Sequence, residues 1–329
     1  MSSSGDRSAA GWAAERERSN LWLLRLMRRV ALSAGRPLTR GLLHPITLYF
    51  LLANGKARRA SRQYLGRVLK RPARWTDVYR HIHRFAATVL DRVYFLQGRF
   101  DQFELSSTGY EPVQAQLARG EGAMLVGAHL GSFEALRAIA QDKGARVAML
   151  MYEDNARLIN ATLAAVAPQA QLHTIALGRA GAMLALRRWL DEGGLAGLLA
   201  DRTLATTSRS DRSRTLSIDF LGQPVRFSDG PFRLAAMLRR PVFFMAGLCH
   251  GGNRYELRFV EIADFRPQAA TGGVDTDQRV REALQRYVAL LETLCTESPY
   301  NWFNFFDFWA VDADPAANPP ATAPSDVTR

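Results

Sequence analysis

A chain of 329 residues with 47% hydrophobic side chains can bury a sizeable core, as one large α/β domain or two small ones. Its formal net charge of +12 calls for an anionic partner, and the lack of zinc-finger, RNA-recognition and helix-turn-helix patterns argues against nucleic acid. Cys249 and Cys295, the two cysteines, have neither metal-ligand spacing nor a disulfide framework, so no metal is expected and a reducing cytoplasm is the default.

Residues 1–15 are expected to be disordered, and residues 16–105 to form an N-terminal helical region. No secretory signal peptide is read here, and no apolar run reaches the roughly 18 residues of a strong membrane span. The stretches 20–32 (NLWLLRLMRRVAL) and 41–53 (GLLHPITLYFLLA) are apolar, and cations follow from Lys56 to Arg74. Apolar stretches interleaved with cations suit helices lying in a membrane interface, as a peripheral contact or a single short anchor. A helical hairpin packed on the core, with a solvated basic face, is the plainer alternative. Residues 76–97 predict an amphipathic helix with Val78, Ile82, Phe85, Val89, Val93 and Leu96 on one side. His81 and His83 diverge on such a helix and read as structural.

Residues 106–310 read as an α/β domain, and 311–329 as a disordered tail. The apolar run Ala123–Ala128 predicts a buried strand that passes straight into a helix ending at Lys143 and Gly144. Strands at 146–152, 171–177 and 195–200 alternate with helices at 155–166 and 179–192. This order implies a mostly parallel central sheet covered by helices on both faces. Residues 202–215 read as a mobile surface loop and 216–227 as a hairpin around Gly222. Asp229-Gly230-Pro231 reads as a turn into helix 231–239. Two strands, 241–249 and 254–262, and a long helix, 277–297, complete the domain.

The chemistry concentrates where the first of these strands meets its helix, at His129, Gly131, Ser132 and Glu134. This junction is the carboxyl end of a strand, where open α/β sheets bind ligands. On one helix, residues five apart sit about 140° apart. His129 and Glu134 therefore meet only if the histidine ends the strand and the glutamate lies in the first helical turn. Gly131 would allow the bend and Ser132 would cap the helix. A carboxylate on one imidazole nitrogen fixes the tautomer and leaves the other nitrogen as a base. Ser132 as a nucleophile is disfavoured, because Leu-Gly-Ser-Phe-Glu is not a nucleophile elbow. Asp201 and Arg202 end the 195–200 strand on the same sheet edge. They form either a local salt bridge or a site in which Arg202 holds a phosphate and Asp201 orients it.

His129-x-x-x-x-Glu134 stands in a wider frame: GAHLGSFEALR (127–137), ADR (200–202), DFLGQPVRFSDGPFRLA (219–235) and NWFNFFDFW (301–309). This frame resembles the lipid A biosynthesis (lauroyl/myristoyl) acyltransferases of the lysophospholipid and glycerolipid acyltransferase superfamily. The resemblance covers about residues 20–310 and looks closest to the acyltransferases of aryl-polyene-type lipid clusters. It implies an O-acyltransferase in which His129, oriented by Glu134, takes the proton of an acceptor hydroxyl that attacks an acyl thioester. Main-chain amides near Gly131 would meet the oxyanion. The 220–231 block, with Gly222, Gly230 and Pro231, would line an acceptor or acyl channel; read bare, these are turn residues.

The resemblance further implies a donor on acyl carrier protein, with acyl-CoA as the alternative, and a lipid or glycolipid acceptor. Such a protein works at an anionic membrane surface, the cytoplasmic face of a bacterial inner membrane. It needs no cofactor beyond the donor's own pantetheine. Arg209, Arg212 and Arg214 are either a solvated loop or a dock for an acidic carrier protein. Relatives carry an arginine after the tyrosine ending the second strand; here Glu153 and Asp154 follow Tyr152, with Arg157 later. The aromatic segment 301–309 either closes the core, walls an acyl pocket or anchors at the interface. Two rival classes stand beside this reading. One is a nucleotide- or phosphate-binding enzyme using the Gly-rich turn 127–132, which lacks G-x-G-x-x-G and a Walker lysine. The other is a non-catalytic membrane-binding module.

Overall fold

The computed structural model describes residues 5–136, 144–152, 173–202, 215–267 and 275–309, with side chains from Arg29 onward. The expected helix 155–166, the loop arginines 209, 212 and 214, and the tail 311–329 lie outside the described residues. So does the helix toward Lys143 beyond Leu136.

Seven strands form the central sheet: β1 (Glu104–Thr108), β2 (Met124–Gly131), β3 (Val147–Tyr152), β4 (His173–Leu177), β5 (Leu195–Leu199), β8 (Pro241–Gly251) and β9 (Arg254–Asp264). Their spatial order is β1-β9-β8-β2-β5-β3-β4. Every neighbouring pair is parallel except the β8–β9 hairpin. A separate antiparallel ribbon, β6 (Thr215–Phe220) and β7 (Gln223–Ser228), turns through Leu221 and Gly222, both at positive φ. The expected mostly parallel α/β fold is thus observed.

The central strands are apolar throughout because both their faces are covered. In β2, Met124, Val126, Ala128 and Leu130 point into one core layer, with Leu284, Tyr287 and Leu291 of the long helix α7 (Thr276–Glu297). That layer also takes Leu186 and Leu190 of α5 (Ala182–Asp191), and Phe232 of α6 (Gly230–Leu238). The alternate residues Ala123 and Leu125 join the opposite layer, with Leu90 and Tyr94 of α3 (Trp75–Leu96) and Val113 of α4 (Glu111–Ala118). This period-two alternation is the strand's own geometry.

The N-terminal stretches lie in α1 (Gly5–Ala53), which is two helices joined across a kink. It is kinked at Gly35, whose φ of 76° and ψ of 163° are non-helical, and Pro37 starts the second half. A further helix, α2 (Gly55–Val68), buries Tyr64 and Leu65 and carries the basic run on its other side. Ala31 and Leu43 of α1 share a core layer with the sheet, so this region is packed onto the α/β fold. Among the described residues, no helix is long and apolar enough to cross a membrane. The pattern reading missed β1 and α4. β1 is an edge strand of five residues, largely exposed and polar, and α4 is only eight residues long.

Candidate active site

The register of the sheet builds the site. β2 and β5 pair in parallel with Met124 opposite Ala196 and Gly127 opposite Leu199. Carried two residues further, the same register brings His129 level with Asp201, just beyond the end of β5. The carboxylate closes both ends of this contact. Its Oδ1 accepts from the His129 ring Nδ1 at 2.8 Å, and its Oδ2 accepts from the His129 main-chain N–H at 3.0 Å. The indole Nε1–H of Trp302 also donates to Oδ2, at 3.0 Å. Asp201 is 1% exposed, whereas about a third of the His129 side chain is open to solvent. Burial would raise the Asp201 carboxyl; the His129 imidazole and amide, with Arg202, outweigh it and hold the carboxyl below its ordinary range. The carboxylate fixes the ring proton on Nδ1 and leaves the Nε2 lone pair as the available base.

The carboxylate bonded to the His129 ring is therefore Asp201, not the expected Glu134. β2 continues through His129 to Gly131, two residues past its expected end at His129, with its register on β8 irregular between Gly127 and Gly131. Glu134 faces elsewhere. Its Oε1 pairs with Arg92 of α3 at 2.5 Å, and its Oε2 accepts from the Ser132 hydroxyl at 3.2 Å. The carboxylate thus ties the chain leaving β2 to α3.

Gly131 sits at φ 72°, and a β-carbon on it would lie 1.9 Å from the Gly247 carbonyl oxygen of β8. Only glycine permits this backbone approach. The amide of Gly131 donates to the Asn301 carbonyl and that of Ser132 to the Gly247 carbonyl, both at 2.8 Å. These two amides are committed to the backbone, so they do not serve as the expected oxyanion donors. For the same reason they are not a phosphate cradle, and the nucleotide-binding reading loses its basis.

The C-terminal aromatic segment closes over this end of β2. Leu130 bridges to Trp302, and Phe303 N–H donates to the His129 carbonyl. Trp302 is wholly buried among Tyr64, Phe220 and Phe308, while Phe306 stays 40% exposed. Arg202 donates to the Phe303 carbonyl at 3.2 Å and lies over the Phe306 ring. Asp201 thus holds both His129 and Trp302, whereas Arg202 holds Phe303 and Phe306. Gly222 occupies the exposed β6–β7 turn with open space around it. Gly230 and Pro231 begin α6. The 219–235 block reaches the histidine through the Phe220–Trp302 contact, not through these turn residues.

The family model for bacterial lipid A biosynthesis acyltransferases matches residues 88–310, more than half of the chain. The chain belongs to this bacterial lipid A biosynthesis acyltransferase family. Membership makes it an acyltransferase of lipid biosynthesis. No curated protein matches it. The match begins inside α3 and ends just past Trp309, so it takes in the whole sheet, Arg92 and the aromatic segment.

Pattern reading missed Arg92 and Trp302 as supports of the site. Arg92 sits on an amphipathic helix, and Trp302 was one of six aromatics in nine residues; neither position had a distinguishing local signal. His81, expected to be structural, is so: it is buried, and its ring bonds the Ser61 hydroxyl and the Trp302 carbonyl at 2.8 Å each. Burial lowers its pKa from 6.5 to about 4. The folded chain takes up this proton only near pH 4, whereas the unfolded chain takes it up near 6.5. The contribution is thus full above about 6.5 and is lost as pH falls toward 4, about 3 kcal/mol in all. Urea unfolding midpoints across this window should fall for the parent chain. In His81→Asn, weaker throughout, the fall should be shallower by that amount.

Proposed function

We propose that this chain moves an acyl group from an acyl carrier protein thioester to a hydroxyl of a lipid or glycolipid, with His129 as general base. The observation that carries this reading is the His129 Nδ1–Asp201 bond at the carboxyl end of β2. The free Nε2 takes the proton of the acceptor hydroxyl as its oxygen attacks the thioester carbonyl. The tetrahedral intermediate collapses, the C–S bond breaks, and the imidazolium returns its proton to the departing thiolate. Asp201 keeps the ring in the productive tautomer and stabilises the imidazolium. Glu134 positions the turn after β2 through Arg92 and Ser132, and Arg202 flanks the open side of the site with Phe306.

We assign the work to the cytoplasmic face of a bacterial inner membrane, with peripheral attachment. After its kink, α1 exposes Leu38, Leu42, Ile46 and Tyr49, spaced three to four residues apart along one face. Arg58 and Arg62 lie over the half-exposed Trp75 ring beside it. An apolar helical face bordered by arginines and an aromatic ring suits the boundary between headgroups and acyl chains. Acyl-CoA is the alternative donor, and a polyene acyl chain of the aryl-polyene type is the finer form of the reading.

Mass spectrometry of total lipids from cells making the parent or the His129→Ala protein tests the transfer. A new acylated species should appear with the parent alone. Purified protein given acyl carrier protein or coenzyme A thioesters then separates the donors. Identical lipid profiles, with no thioester turnover on either donor, would remove the proposal.

A further inference from the structure

A cavity of about 380 Å³ opens between the N-terminal helices and the β8–β9 turn, apart from His129. Its walls carry Arg40, Tyr79, Arg80, His83, Arg84 and Tyr300, and Gly251 and Gly252 complete it. This size suits a polar headgroup rather than a long acyl chain. Arg80, His83, Arg84 and Ala87 recur at helical spacing, so one face of α3 presents two guanidinium groups and an imidazole to the cavity.

Counter-charge is short here. Arg36 and Arg40 both pair with the same buried carboxylate, Asp91, at 2.8 and 3.0 Å. Arg84 donates to the Cys249 carbonyl at 3.0 Å and lies against its sulfur. Arg80 lies by the Tyr300 hydroxyl, which itself donates to Asp77. Among the described residues, no acidic side chain lines the cavity. The His83 ring stacks on His44 at 4.7 Å, and its buried Nε2 has no hydrogen-bond partner. Burial, then His44, Arg40 and Arg84, hold the His83 imidazole below its ordinary pKa, which reports the same positive field.

We propose that this cavity binds a phosphomonoester dianion, supplied either by a lipid headgroup or by a soluble phosphate ester. Guanidinium groups match phosphate oxygens with paired N–H donors, and two or more together suit a double negative charge.

Equilibrium binding by the full chain tests this. Because binding and not turnover is read, its failure leaves the acyl-transfer reading intact. Glycerol phosphate should protect the protein against heat, and Arg80→Gln should weaken that protection about tenfold, the loss of one charge-assisted hydrogen bond. Flotation with vesicles containing phosphatidic acid, against phosphatidylglycerol vesicles matched in surface charge, separates the sources. Tighter binding to phosphatidic acid that Arg80→Gln abolishes assigns a lipid headgroup. Protection by glycerol phosphate without that preference supports the site with a soluble ester. Neither effect in the parent chain, or equal effects in parent and Arg80→Gln, would overturn the inference. If Arg80→Gln does not fold, His83→Gln carries the same comparison.

Discussion

Asp201→Asn should lower the rate of acyl transfer by about 10³–10⁴-fold, close to the effect of His129→Ala. An amide at this position offers an N–H where the carboxylate accepts, so the ring proton moves from Nδ1 to Nε2 and the base is lost. Glu134→Gln should act differently. It weakens an ion pair whose arginine is 38% exposed, so it should cost far less rate while lowering stability by about 1 kcal/mol or less. Turnover by folded, purified variants, checked by circular dichroism, makes the comparison. Full activity in Asp201→Asn beside a collapse in Glu134→Gln would hand the orienting role back to the glutamate.

Trp302 should show the largest effect on stability. It heads the fully buried side chains by volume, and Trp302→Ala should cost about 3–5 kcal/mol of unfolding free energy. Trp302→Phe keeps most of the packing but removes the Nε1–H that bonds Asp201. Hydrogen bonds to charged acceptors contribute about 1.5–3 kcal/mol, so this variant should lose about tenfold or more in kcat through the loosened carboxylate. A purely packing role would leave kcat and its pH profile unchanged, and finding them so in Trp302→Phe would sink the link to catalysis. The chain from His81 through the Trp302 carbonyl, and from its indole to Asp201 and His129, joins the buried face of α3 to the base.

The carboxylate partner of His129 shows why local spacing misled. Glu134 is five residues away in sequence, and a tight turn would bring it close. Asp201 is seventy-two residues away, yet the parallel register delivers it without any special turn. Nothing in a sequence window reports register between β2 and β5. Likewise Gly131 was legible as a special position. That its own amide and that of Ser132 are taken by Asn301 and Gly247 depends on where β8 and the C-terminal segment arrive. The aromatic run 301–309 was legible as unusual, but only its antiparallel bridge to Leu130 assigns Trp302 to the site.

Apolar runs, punctuated by glycine and proline and alternating with helical periodicity, sufficed by themselves to specify a mostly parallel α/β sheet. They also placed His129 and Asp201 at the same sheet edge, because strand polarity follows from connection type. Which acid holds the imidazole, which tryptophan holds that acid, and where surplus arginines gather around a cavity were decided in three dimensions. Each of these contacts joins elements distant in the chain, and its geometry is fixed by sheet register and core packing, which act between segments rather than within one.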